Sequence, residues 1–401
     1  MSQDTVTVRN QTILLTGGRA PVTLDLARQF TKAGHRILVA DSLQHQLCSA
    51  SRAVVKNFVV PAPRTQPSAY ISALLEIIQT EQVDYLIPTC EEVFYIAAGL
   101  AELQLHCQVF AEPLETLNRW HNKWLFIQRM ESLGLVTPNT WLIESPEDLE
   151  DLLKNPSPQK LVLKPVYSRF ASQVHFINKP IAALPNIDLR PDKPWVAQEF
   201  IAGTHYCIYG VAHQGQLRAF AAYSTVFTAG AGSCIYFESV HHSGLLHWLK
   251  TVVAAEQFTG QIAFDLIETA DGILYPLECN PRAISAIHLF NLSDRLDLAF
   301  LNQEMGDHLI LPQTDRPAMI AMAMLVYGLP AAIASQRFKV WLTAMMTAKD
   351  VIFQKDDPLP ALHLGFVMGQ FIAMAIQKRQ SLQRVSTQDI EWDGAPINVS
   401  L

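Results

Sequence analysis

The feature that most constrains this chain is the stretch Gly260 to Arg282, GQIAFDLIETADGILYPLECNPR, which reads as a β-hairpin. An apolar, β-branched run ends at Asp265. The acidic turn Thr269-Ala270-Asp271-Gly272 follows, and a second strand is expected from Ile273 to Glu278. Asp-Gly between two apolar runs is a hairpin signal, because the turn needs positive φ that glycine takes without strain. The hairpin sets Asp265 and Glu278 side by side, with Asn280 and Arg282 just beyond. Two carboxylates and an amide oxygen form a hard-oxygen cluster of the kind that holds Mg²⁺ against nucleotide phosphates. An arginine beside them can stabilise charge on a phosphoryl group in transfer. The plainer alternative is a surface hairpin with acidic decoration. Glu278 speaks against it: it lies between Leu277 and Cys279, where an unpaired carboxylate is costly.

At 401 residues the chain is long for one core, so two or three domains are expected. Nearly half of it is hydrophobic and 17% charged, a well-packed globular composition. A net charge of −7, with no basic run, argues against a nucleic-acid binder. The six cysteines are scattered, with no CxxC pair and no His-rich segment, which fits neither zinc nor a disulfide framework. Such usage suits a reducing cytoplasm, and the polar start MSQDTVTVRNQ lacks the apolar core of a secretion signal. Two uncharged stretches, Pro317–Ser335 and Pro358–Gln377, reach the length that raises a membrane flag. Gly328 and Pro330 break the first, and His363, Gly365, Gly369 and Gln370 punctuate the second. Both are expected to be internal strands or helices, with no membrane association. Whether the chain forms a homo-oligomer is left open.

Along the chain, strands at Ile13–Leu15, Ile37–Ala40, Phe58–Val60, Tyr85–Ile87 and Val109–Ala111 alternate with helical patterns at Val22–Ala33 and Tyr70–Thr80. That alternation predicts an open, mostly parallel α/β sheet over residues 1 to about 115. Asp41 stands near where a ribose-binding acid of a dinucleotide domain would sit. GGRAPV is not GxGxxG, however, so Gly17 and Gly18 are expected to permit a tight turn rather than hold a pyrophosphate. A linking helix is predicted over Leu117–Leu133, ending at Gly134. Lys164 then closes an apolar strand, a position that costs desolvation unless the ammonium meets an anion such as phosphate. Trp195 to Gly203 reads as a strand running into a turn, which would offer backbone donors and acceptors to an adenine edge.

In this order, Lys123, Lys164, Gln198-Glu199, Asp265 and Glu278-x-Asn280-x-Arg282 behind an α/β domain resemble the ATP-grasp ligases. The resemblance implies a Rossmann-like N-terminal domain over residues 1–115 and a two-lobed α+β ATP-grasp domain over 116–300. The small lobe would span about 120–200 and the large lobe about 201–300, with residues 301–401 packed on that core. It implies Lys123 and Lys164 on ATP phosphates, with Gln198, Glu199 and Ile201 at the adenine hinge. It assigns Asp265, Glu278 and Asn280 to Mg²⁺, for which Mn²⁺ could substitute, and Arg282 to the transferred phosphoryl group. His205 stands where such enzymes usually carry a ribose-binding glutamate; a neutral imidazole can also hydrogen-bond a hydroxyl. The usual Gly-rich phosphate loop after Lys164-Pro165 is replaced by Val-Tyr-Ser-Arg-Phe-Ala-Ser, where Ser168 and Arg169 would contact phosphates instead. Glycines appear instead at Thr228–Ser233, a candidate loop over the acceptor.

Within that superfamily the chain is similar to the cyanobacterial mycosporine-glycine synthases. The likeness runs through ILLTGG, VPAP at Val60–Pro63, KWLFIQRMESLGL, GQIAFD, ECNPRAISAI and FQKDDPLP at Phe353–Pro360. It implies ATP-dependent, ADP-forming ligation of an acid, or of an enol that is a vinylogous acid, to an amine such as an amino acid. A dipeptide-type ligase of ordinary carboxylates and a nucleotide-binding protein without turnover are the alternatives. Glu238 is the candidate base on the acceptor side, because an amine nucleophile must lose a proton. His241 and His242, adjacent on a strand, would face opposite sides. The Asp356-Asp357 pair is expected to be a loop or helix-cap feature.

Overall fold

The computed structural model describes residues 10–168, 173–180, 185, 187–230, 232–301, 306, 308–313 and 316–400. The N-terminal region is a five-stranded parallel sheet of β1 (Thr12–Thr16), β2 (Arg36–Asp41), β3 (Lys56–Val59), β4 (Tyr85–Ile87) and β5 (Gln108–Val109), in the order β3-β2-β1-β4-β5. Central strand β1 is covered on both faces, which is why Ile13, Leu14 and Leu15 form an unbroken apolar run. Helices Pro21–Lys32 and Pro67–Glu81 each place proline in the first turn, where its missing N–H needs no partner. Gly17 sits at φ +80, and a Cβ there would come within 2.6 Å of the Thr89 hydroxyl oxygen. Asp41 is bound to the Arg19 guanidinium and accepts the Arg19 N–H at 2.9 Å, so its carboxylate is engaged within the fold.

The single helix expected over Leu117–Leu133 is two helices, Leu114–His121 and Lys123–Ser132. Asn122 breaks them with an extended ψ of 110, and its side chain caps the second by accepting from the Trp124 and Leu125 N–H groups. The break places Lys123 in the first turn of a new helix, facing the strands that follow.

Two antiparallel sheets come next. The first combines β6 (Thr140–Ile143), β7 (Lys160–Pro165), β8 (His175–Asn178) and β9 (Trp195–Glu199) in the order β6-β9-β7-β8, with helix Pro146–Lys154 against it. The second begins with β10 (Thr204–His213) and β11 (Gln216–Ser224). Three two-residue strands intervene: β12 (Thr228–Ala229), β13 (Ser233–Cys234) and β14 (Tyr236–Phe237). The predicted hairpin, β15 (Gly260–Glu268) and β16 (Leu274–Asn280), then completes the order β11-β10-β15-β16. Phe264 of β15 is fully buried, with ring centroids of Trp120, Phe126 and Trp248 at 5.7, 5.8 and 5.0 Å. That aromatic cluster joins both linking helices and helix Ser243–Glu256 to the sheet that carries the carboxylates.

Beyond residue 301 the chain adds β17 (Ala318–Met319) and β18 (Lys349–Asp350), which extend β14 into a three-stranded sheet. It then returns to the N-terminal sheet, where Trp392 packs 4.9 Å from Phe94. Asp357 does not cap the helix that follows. Instead it accepts from Arg28 Nε at 2.9 Å, Ser51 Oγ at 2.6 Å and the Arg52 N–H at 3.0 Å, clasping the two ends of the chain together. Arg19 makes a parallel clasp to Asp389.

The expectation that both uncharged stretches are internal is overturned. Met322, Leu325, Val326, Tyr327 and Ile333 of the first are exposed. The second is a helix, Leu359–Lys378, of which only 11% of the most apolar eighteen residues are buried. Its apolar side chains run around the whole circumference, and one stripe finds cover: Pro360, Val367 and Phe371 are buried, the latter two with Leu43 and Val385, while Leu364 and Met374 pack in partly. Among the described residues it is the one helix long and apolar enough to cross a membrane.

Candidate active site

Hairpin β15–β16 creates the site through an irregularity in its register. Glu268, Ile267 and Leu266 face Leu274, Tyr275 and Pro276, but Asp265 faces Glu278, so Leu277 is one residue too many. Pro276 cannot donate to the ladder and lies on the edge strand of the sheet, where proline is tolerated. The bulge beside it shifts the pairing by one residue, which moves a side chain to the opposite face of a strand. Without it Leu277 would face Asp265; with it Glu278 does. Asn280, two residues on, shares that face.

The bulge also exposes the Leu277 carbonyl, which accepts from Lys164 Nζ at 3.1 Å. Lys164 reaches across from β7 and donates equally to Gln198 Oε1 at 3.1 Å. Burial lowers the Lys164 ammonium to about 8, opposed by the charge of Glu278 and reinforced by Lys123. Lys123, also buried, lies 3.4 Å from Glu278 Oε2 and donates to the Ser168 carbonyl at 3.2 Å. Burial alone would raise the Glu278 carboxyl; the two lysines reverse that and hold it well below the usual carboxylate range. Asp265 is pushed up, first by burial and then by the charge of Glu278.

Arg282 follows the second strand. Its Nη2 donates to Asn280 Oδ1 at 2.8 Å and its Nη1 to the Ala283 carbonyl at 3.1 Å, while its Nε lies 3.6 Å from Glu91 Oε1. Glu91 is buried in the turn after β4, so the N-terminal sheet contributes an acid to the edge of the site. Sequence reasoning missed it, because an acidic pair after a short strand carries no pattern of its own.

At the expected hinge, Gln198 divides its amide between Lys164 and Thr140 Oγ1, the latter at 3.1 Å. Glu199 ends β9, where its carboxylate accepts from Asn139 Nδ2 at 2.7 Å. Ile201 lies in the turn between β9 and β10. His205 opens β10 with Nε2 3.9 Å from Asp265 Oδ1, on the face that carries the carboxylates. Ser168 contributes its carbonyl to Lys123, and Arg169 lies outside the described residues. Glu238 is exposed beyond β14 and borders the Tyr236 phenol, which its charge and the burial of the ring push up to about 12. His241 and His242 are not on a strand. His242 caps helix Ser243–Glu256 and contacts Glu268 Oε1 at 2.9 Å, a structural role.

The donor set fits a hard divalent cation. Asp265, Glu278 and Asn280 share one face, and the burial that raises Asp265 beside ionised Glu278 is relieved when a cation lies between them. The two lysines supply positive charge on the same side, where phosphate oxygens would complete the balance.

Residues 120–286 match the family described as the ATP-grasp domain. Among curated proteins none matches the sequence. Among solved structures the chain is similar to N5-carboxyaminoimidazole synthetase from Staphylococcus aureus complexed with ADP, at 12% identity and a TM-score of 0.64, over 84% of this chain and 89% of that one. It is also similar to L-amino acid ligase from Bacillus licheniformis, at 17% identity and a TM-score of 0.52, over 70% of this chain and 69% of that one. The biotin carboxylase domain of the Hydrogenobacter thermophilus 2-oxoglutarate carboxylase, in complex with MgADP, gives 12% identity and a TM-score of 0.53, over 69% of this chain and 65% of that one. At such identities the likeness is one of fold. Residues 120–286 thus match the ATP-grasp domain family, and the chain that carries them has the ATP-grasp fold.

Proposed function

We propose that the protein is an ATP-dependent, ADP-forming ligase that activates an acid by phosphorylation and joins it to an amine. The observation that carries this reading is the bulged pair Asp265–Glu278 facing Lys123 and Lys164 inside an ATP-grasp domain. In this reading residues 1–115 form the preceding domain, 116–300 the two lobes and 301–401 the part packed on them.

Lys164 and Lys123 bind phosphate oxygens from a buried position, where a point charge acts with little solvent screening. Gln198 and the Leu277 carbonyl orient Lys164, while Glu199, Ile201 and the backbone around them border the base. His205 serves the ribose and Ser168 the phosphates, and the sequence resemblance assigns Arg169, outside the described residues, to the phosphates as well. Asp265, Glu278 and Asn280 would hold Mg²⁺, which supplies charge neutralisation to the phosphates when bound. Arg282, oriented by Asn280 and Glu91, stabilises charge that develops on the transferring phosphoryl group. Glu238 is the acceptor-side base that takes the proton of the amine.

The finer reading, an enolised 1,3-dicarbonyl of the 4-deoxygadusol type joined to glycine, rests on the sequence segments similar to the mycosporine-glycine synthases. Such an oxygen can be phosphorylated and then displaced by an amine, as a carboxylate can. The test is a coupled ADP-release assay over amines, with 4-deoxygadusol and simple carboxylic acids as acceptors. ADP formation that requires both acid and amine is expected, and the acceptor that supports it names the substrate class. Arg282→Ala should lower turnover on the order of 100-fold while ATP still binds, with partial rescue in Arg282→Lys. ATP hydrolysis indifferent to every acid and amine, or wild-type turnover in Arg282→Ala, would overturn the reading.

A further inference from the structure

Beside the hard-oxygen pair the same sheet assembles softer donors. His205 and Cys207 alternate on β10 and so share one face, and Cys207 is the register partner of Asp265 on β15. The ligating atoms of His205, Cys207 and Asp265 all lie within 4.8 Å of one another. A fourth donor approaches from β13, where the Cys234 thiol is within hydrogen-bonding reach of Cys207. None of the four is tied up by a disulfide, since both cysteines are free thiols.

The arrangement of the histidine is the telling detail. Its Nδ1 is engaged by Thr225 Oγ1 at 3.3 Å, and the same hydroxyl accepts from Cys234 Sγ at 3.5 Å. Its Nε2 is buried, faces Asp265, and has no hydrogen-bond partner among the described residues. A buried ring nitrogen without a partner is a cost that a ligand would remove. Thr225 fixes the ring from the far side, as an outer hydrogen bond commonly does for a metal-bound imidazole.

We propose that His205, Cys207 and Asp265, with Cys234 as the fourth donor, form a site for a thiophilic divalent cation of the Zn²⁺ type. Tetrahedral zinc with nitrogen and sulfur ligands at about 2.0–2.3 Å sets ligand atoms about 3.5 Å apart, within reach of this cluster by small side-chain rotations. Thiolate and imidazole ligands select such a cation against Mg²⁺, which prefers oxygen. Binding releases the thiol protons to solvent, because the thiolate is the ligand. Asp265 belongs to both donor sets, and one carboxylate oriented toward sulfur and imidazole is withdrawn from Glu278 and Asn280. A soft cation in this site therefore antagonises Mg²⁺·ATP. The antagonism rests on the proposed function; the binding of the metal itself does not.

Titration of the full-length protein with Co²⁺, in the absence of nucleotide, reads the site through the thiolate-to-cobalt charge-transfer band. One equivalent of tetrahedral cobalt is expected, with its bands bleached by Zn²⁺. Cys207→Ser should abolish the charge-transfer band, and His205→Ala should weaken cobalt binding at least tenfold, with unchanged far-ultraviolet dichroism in both. A wild-type protein without the band, or a band that survives in Cys207→Ser, would overturn the site. In the second arm, one equivalent of Zn²⁺ should weaken Mg²⁺·ATP binding at least tenfold in the wild type and leave Cys207→Ser unaffected. Cobalt binding with ATP affinity indifferent to zinc would overturn the antagonism. If the wild type bound no ATP at all, the proposed function would fall while the cobalt spectrum still decided the site.

Discussion

Hairpin β15–β16 and helix Leu359–Lys378 are both long apolar segments, yet one lies in the middle of the molecule and the other on its surface. In β15 the first five residues, Gly260 to Phe264, are all buried, and the strand is sandwiched between β10 and β16. In the helix, Leu362, Phe366 and Ile376 are 73%, 64% and 74% exposed. The difference lies in what each pattern specifies. A strand with a buried face has its register fixed, since a slip of one residue turns every side chain over. The helix is apolar well beyond the single stripe that packs against the core, so its sequence does not say which face is covered.

The comparison can be broken by measuring what each segment contributes. Phe264→Ala removes a ring packed by three aromatic neighbours and should cost about 3–5 kcal/mol in urea unfolding. A change below about 1 kcal/mol would mean that the hairpin is not the packed centre of the fold. Next in size is the clasp. If the C-terminal region is held by polar ties rather than by its apolar helix, Asp357→Asn should cost about 3 kcal/mol, because Arg28 keeps its burial and loses its counter-charge.

The same clasps have a pH signature. Burial alone would raise the Asp357 carboxyl, but Ser51, the Arg52 N–H and Arg28 hold it below its ordinary 3.8, and Arg19 does the same for Asp389. A group whose folded value is depressed stabilises the fold above its unfolded value and loses that contribution as pH falls through the folded one. Stability should therefore be intact at pH 5 and fall below about pH 4, and by less in Asp357→Asn. A variant with the same acid sensitivity as the wild type would remove the clasp from the account. The smallest effect belongs to the helix surface. Leu362→Ser, Phe366→Ser and Ile376→Ser should each shift unfolding by no more than about 0.5 kcal/mol, since none loses much burial. A loss of about 2 kcal/mol from any of them would show that the helix is covered in solution.

Legibility in the sequence followed the same division. Asp265 and Glu278 could be placed together because Asp271-Gly272 marks the turn, and Gly272 indeed sits at φ +80. The parallel N-terminal sheet was legible from the alternation of apolar strands with helical patterns at Val22–Ala33 and Tyr70–Thr80. The bulge at Leu277 was not, although Pro276 marks where the ladder had to fail, because a bulge depends on which strand lies at the edge. The break at Asn122 was hidden by two helical patterns that abut without a gap. Glu91, Cys207 and Cys234 come from three separate elements, and only tertiary packing brings them to the edge of the site. The exposed C-terminal helix was misjudged because composition records apolarity and not its partner.

The most direct test of the account is calorimetric titration of ATP into the wild type and Glu278→Gln, each with and without Mg²⁺. The bulged register predicts ATP binding that Mg²⁺ strengthens in the wild type. In Glu278→Gln the magnesium-dependent part should weaken at least tenfold, about 1.4 kcal/mol, because a neutral amide offers the cation less charge. Equal, magnesium-responsive affinities in the two proteins, or a wild type that binds no ATP, would contradict it.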